Sequence, residues 1–163
     1  MVSLFSTMTD LFERVVLPVA SPEDARGTCR AVRDYLTGSV VAVHVIEKAG
    51  GAPDKAGVEQ REEYAEEIFD EVRDCFDGDR IETEIRYGTD VAETIFDAAA
   101  DHDASAIVIT PRGGSRWIRL LTGDVALDIV TQTNRPVVVL PDVPDEGGPE
   151  PDETATDNGG ESS

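Results

Sequence analysis

At 163 residues the chain is one domain's worth of sequence with room for a tail. Its 34 aspartates and glutamates against 14 lysines and arginines leave a formal net charge of −20, a field that repels a phosphate backbone and argues against general nucleic-acid binding. Hydrophobic residues, at 40%, are enough for a core, and no apolar run approaches a membrane span.

The expected setting is therefore cytoplasmic, with no nucleic-acid or membrane partner. The start of the chain, MVSLFSTMTDLFE, has no basic region or cleavage pattern and is read as carrying no signal peptide. Cys29 and Cys75 are too few for a disulfide framework or a metal cluster and are read as core thiols. Twelve arginines accompany only Lys48 and Lys55. An acid-rich, lysine-poor composition is that of proteins from salt-accumulating halophiles, where a Debye length of ~3 Å at molar salt screens self-repulsion.

In chain order, Arg14–Val19 is a short apolar run expected to form a buried strand. Ser21, Pro22 and Asp24 are helix-start chemistry: a capping serine, a proline at the first helical position and an acid three residues after the cap. Ala25, Cys29, Val32 and Leu36 keep helical spacing. Ser39–Ile46 reads as a second buried strand and Lys48–Gly57 as a loop. From Val58, a long helix carries Tyr64, Ala65, Ile68, Phe69, Val72, Cys75 and Phe76 on one stripe and its acids on the other face.

Ile81, Thr83, Ile85 and Tyr87 alternate with Glu82, Glu84 and Arg86, the pattern of a strand with one solvated face. Gly88, Thr89 and Asp90 form a turn and cap. A helix with Ala92, Ile95, Phe96 and Ala99 follows, then a buried strand at Ala106–Ile109. Val125, Ile129 and Val130 mark a last helix, broken at Asn134-Arg135-Pro136. Val137, Val138, Val139 and Leu140 end the domain as a strand. Residues 142–163 hold eight acids, no base, three prolines and four glycines, and are expected to be a disordered acidic tail beyond a domain of residues 1–141.

Strands alternating with helices of this length require a parallel sheet covered on both faces. The expected fold is an open, doubly wound α/β sandwich of five strands in the order 3-2-1-4-5. Its switch point lies between the ends of strands 1 and 4, where such sheets bind ligands. That directs attention to Pro18–Ser21 and to the connection from Thr110 to Asp124. In the connection, Gly113 and Gly114 let backbone N–H groups approach an anion, and Arg112, Arg116 and Arg119 form a basic island. Gly123 leads into a helix N-terminus. Two readings stay open: a phosphate or polyanion site, or arginines that neutralise neighbouring carboxylates.

The segments RVVLPVASPED, YGTDVAETIFDAAADHDASAIVIT and PRGGSRWIRLLTGDVALDIVTQTNRPVVVLP resemble the universal stress protein family across residues 12–141. The resemblance implies an adenine-nucleotide-binding Rossmann-like fold. Nucleotide-binding members carry G-x-x-G, nine residues, then G-[S/T], and Gly113 and Gly123 match that spacing, with Gly114 and Ser115 inside it. Thr110 stands at the first glycine of the pattern and Asp124 at the final Ser/Thr. A carboxylate beside phosphate is repelled, by about 4 kcal/mol for unit charges ~4 Å apart at an effective dielectric of ~20. Asp124 also suits a helix cap.

Ala20 stands where ATP-binding members often place an aspartate for adenine, with Ser21 next to it. The resemblance therefore implies a non-enzymatic stress-response or regulatory protein that dimerises through Val137, Val138, Val139 and Leu140. The alternatives are a carrier of ATP or another adenine nucleotide with slow or no hydrolysis, and a sensor of another anionic metabolite. His44, His102 and Ser115 give no metal-ligand spacing and no nucleophile–base pair.

Overall fold

A computed structural model describes residues 10–48, 55–110, 131–133, 135–141 and 143. The sheet has five parallel strands: β1 Arg14–Pro18, β2 Ser39–Glu47, β3 Ile81–Gly88, β4 Ala106–Ile109 and β5 Val137–Val139. Their order is β3-β2-β1-β4-β5, the order expected from the sequence. The α-helices that connect the first four strands are α1 Pro22–Arg33, α2 Lys55–Cys75 and α3 Val91–Asp101.

The central strands are apolar on both faces because helices cover both. Val15, Leu17, Val19, Val40, Ala42 and Val108 pack under α1 and α2, against Ala25, Cys29, Val32, Ala65, Ile68, Phe69 and Val72. Val16, Val41, Val43, Val45, Ile107 and Ile109 pack on the other face under Ile95, Ala98 and Ala99 of α3. The period-2 alternation within each strand splits the core into these two layers. Each fully buried valine or leucine contributes roughly 1.5–3 kcal/mol.

Helix starts follow their capping residues. Ser21 Oγ accepts from the Asp24 N–H at 3.1 Å, and Pro22 opens α1. Asp90 Oδ1 accepts from the Glu93 N–H at 3.0 Å and opens α3. At the amino ends of the strands, the turn before β2 presses against the approach to β1. The N–H groups of Thr37 and Gly38 donate to the Phe12 carbonyl, and Ser39 N–H donates to that of Glu13. A Cβ on Gly38 would sit 1.9 Å from the Glu13 oxygen, so only glycine fits there.

Three details depart from the sequence reading. Helix α2 begins at Lys55, so the expected loop ends before Gly57. Tyr64 lies on the edge of the buried stripe and is exposed, with its ring edge-on to His44. The face of β3 expected to meet solvent is instead half covered. Glu84 and Arg86 pair at 3.0 Å, Arg86 reaches Asp101 at 2.8 Å, and His102 Nε2 donates to Glu84 at 2.6 Å. Charged side chains long enough to meet the end of α3 give that face partners in place of water. Burial pushes the Glu84 carboxyl up, but the hydrogen bonds of Arg86 and His102 outweigh it and hold the group below its ordinary value.

Candidate functional site

The order of strands reverses at β1 and β4, which pair through Val15–Ala106 and Val16–Ile107. Open sheets bind ligands beyond the carboxyl ends of the strands at such a reversal, which makes the ends of β1 and β4 the candidate site. Of the residues singled out from the sequence, Ala20, Ser21 and Thr110 are described. Arg112, Gly113, Gly114, Ser115, Gly123 and Asp124 lie outside the described residues, as do Arg116, Arg119 and the tail apart from Val143.

At the end of β1, three polar groups are engaged. Val19 N–H donates to the Val43 carbonyl at 2.9 Å, and the Val19 carbonyl accepts from His44 Nδ1 at 2.8 Å. Ala20 N–H donates to Asp24 Oδ2 at 2.9 Å. Asp24 is only 4% exposed, so a carboxylate does stand at this end of the sheet, four residues beyond Ala20. It folds back on the chain that precedes its own helix and takes the N–H one residue before the serine cap. Ser21 uses its hydroxyl to accept from that same residue, which is the capping role its sequence position suggested.

At the end of β4, Thr110 is 3% exposed and shares a hydrogen bond of 2.8 Å with Thr28 of α1, hydroxyl to hydroxyl. Thr28 is itself buried. Two hydroxyls that would each be costly to bury alone satisfy one another. The side chain at the first position of the glycine pattern is therefore turned onto α1. Sequence reasoning did not single out Thr28. Its signal was a hydroxyl on the apolar stripe beside Cys29, which calls for a partner.

Neither histidine joins a ligand cluster. His44 ties β2 to β1, and His102 ties the end of α3 to β3. Among the described residues, no group of three histidine, cysteine or acidic side chains is placed to hold a metal ion. No helix among them is long and apolar enough to cross a membrane.

A model of the universal stress protein family matches residues 11–141. The chain belongs to the universal stress protein family. Solved structures of the family share its fold. A universal stress protein from Archaeoglobus fulgidus in complex with dAMP is 24% identical, with 80% of this chain and 98% of that one covered and a TM-score of 0.54. The universal stress protein UspA from Lactobacillus plantarum is 22% identical, over 79% and 97% of the two chains, with a TM-score of 0.60. A universal stress protein in complex with cAMP is 15% identical, over 82% and 99%, with a TM-score of 0.55. No curated protein sequence matches the chain. The five-strand order expected from the sequence is the order observed, in a fold shared with solved universal stress proteins.

Proposed function

We propose that this chain is a non-catalytic regulatory member of the universal stress protein family, cytoplasmic, acting as a homodimer, with a crevice that takes ATP weakly or not at all. The observation that carries the ATP part is the Thr28–Thr110 hydrogen bond. It supports a structural role for the residue that replaces the first glycine of the phosphate-binding pattern. Ala20 supports the same reading, since its side chain offers adenine no polar handle and its N–H is held by Asp24. Dimerisation is supported by β5, an apolar edge strand with Val139 48% exposed.

A second reading has its own observation. Two neighbours of the same fold were solved with dAMP and cAMP, adenine nucleotides with a single phosphate. Asp124, which stands where nucleotide-binding members of the family have a serine or threonine, opposes a triphosphate more than it opposes a monophosphate. The two readings part in one experiment: the purified chain is denatured and its released small molecules are identified by mass spectrometry. The first reading expects no stoichiometric ATP. Recovery of about one ATP per chain would overturn it, and recovery of an adenine monophosphate would favour the second.

A further inference from the structure

Glu82 and Glu84 stand two residues apart on β3, in register with Val41 and Val43, so both side chains lie on the face of the sheet that α3 covers. His102 caps the end of α3. Its Nε2 donates to Glu84 Oε2 at 2.6 Å, and its Nδ1 lies 3.7 Å from Glu82 Oε2. Both nitrogens of one imidazole therefore meet carboxylate oxygens. An ionised carboxylate only accepts, and a neutral imidazole has a single N–H to give. With Nε2 donating to Glu84, the neutral ring turns a lone pair toward Glu82, whereas the charged ring turns an N–H to each. The geometry points to a proton-operated latch: uptake of a proton by His102 ties the end of α3 to both carboxylates of the edge strand β3, and loss of that proton releases the Glu82 half.

The groups around the ring suit the charged form. Arg14 of β1 donates through its terminal nitrogen to Glu82 Oε2 at 2.8 Å and through Nε to the His102 carbonyl at 2.7 Å, which holds Glu82 beside the ring. Arg86 pairs with Glu84 Oε1 at 3.0 Å and with Asp101 Oδ2 at 2.8 Å. The chain of contacts thus alternates in sign through Arg14, Glu82, His102, Glu84, Arg86 and Asp101. With His102 charged, three cations balance three carboxylates; with it neutral, one carboxylate is in excess. Just past the helix, Asp103 and Arg135 pair with each other at 3.4 Å. The His102 side chain is 21% exposed, so these charges act through less water than on the open surface.

The latch runs opposite in pH to Glu84 itself. The Glu84 contacts are lost when its carboxyl takes up a proton, on the acid side. The second His102 contact is lost on the alkaline side, as imidazoles give up their proton between about pH 5 and 8. A proton bound by the folded state stabilises it, so the contribution is full on the acid side of the imidazole range and fades as the pH rises through it. The junction between α3 and β3 is then firmest in the window between the carboxylate and imidazole ranges.

The test follows the imidazole nitrogen-15 resonances of the labelled full-length chain from about pH 5 to 8 at constant salt, alongside thermal midpoints of the wild type, Glu82→Gln and His102→Gln. Both ring nitrogens of His102 should carry protons at the acid end, and the second proton should be lost at a lower pH in Glu82→Gln. The wild-type midpoint should exceed those of both variants by about 2–4 °C at the acid end, a margin that shrinks as the pH rises. Acidification relieves the general repulsion in all three proteins, so it drops out of the differences. Glu82 is 60% exposed, and its replacement leaves the core intact. A His102 ring with one proton throughout, a second proton lost at the same pH with and without Glu82, or margins that do not vary with pH would each overturn the proposal, and the first is read on the wild-type protein alone.

Discussion

Thr28 and Thr110 are each buried beside the other, and the proposed weakness of ATP binding leans on that pairing. If their role is structural, Thr110→Val should destabilise the fold by about 1–3 kcal/mol, because Thr28 keeps a buried hydroxyl with no partner. Thr28→Val should cost a similar amount. The double variant should recover most of the loss, since both polar groups are gone and the volumes are kept. Urea denaturation of the four proteins measures this cycle, and costs that simply add would remove the structural role. Glu84 offers a second test. Its carboxyl is held below 4.5 when folded, so its contribution is present above that pH and is lost as the pH falls through the lowered value. Glu84→Gln should therefore be less stable than wild type at neutral pH, with the difference shrinking on acidification below about 4.5. A constant difference in thermal midpoint across that range would show that the Arg86 and His102 contacts do not depend on the charge.

At the scale of elements, β5 carries the assembly argument, and the ladder dictates which residue to change. The Leu140 N–H donates to Ile109, and the Pro136 carbonyl accepts from Ile107. Groups of this parity face β4, so the backbone of Val138 does too, while those of Val137 and Val139 face outward. A proline at 138 would remove a bond within the sheet and damage the strand itself. Val139→Pro removes an outward donor, and Val139→Lys puts a charge on the exposed edge. Light scattering in high salt should give a dimeric mass for the wild-type protein and a monomeric mass for both variants. A monomeric wild type would sink the dimer, and dimeric variants would move the interface elsewhere. The elements themselves were legible because each has a local cause: Ser21 and Asp90 cap their helices, and the valine runs have strand length. What stayed illegible depends on residues distant in sequence. The partner of Thr110 is 82 positions away. The cover over β3 needs the end of α3 beside it.

For the whole molecule, the charge of −20 is the dominant physical fact. Seven of the acids on α2 are exposed: Glu59, Glu62, Glu63, Glu66, Glu67, Asp70 and Asp74. Arg73 bridges Glu66 and Asp70 and Arg26 reaches Glu71, which relieves only part of the repulsion. Diluting salt from ~1 M to ~0.1 M lengthens the screening distance from ~3 to ~10 Å. The thermal midpoint should fall over that range, and a flat profile would detach the composition from any adaptation to salt. Ligand choice also belongs to this scale, because the candidate site draws on the ends of two central strands. If, as proposed, the ends of β1 and β4 in this universal stress protein do not hold ATP, titration calorimetry of the full chain with Mg-ATP in high salt should give no saturable heat at micromolar nucleotide, and a micromolar or tighter dissociation constant would contradict the proposal.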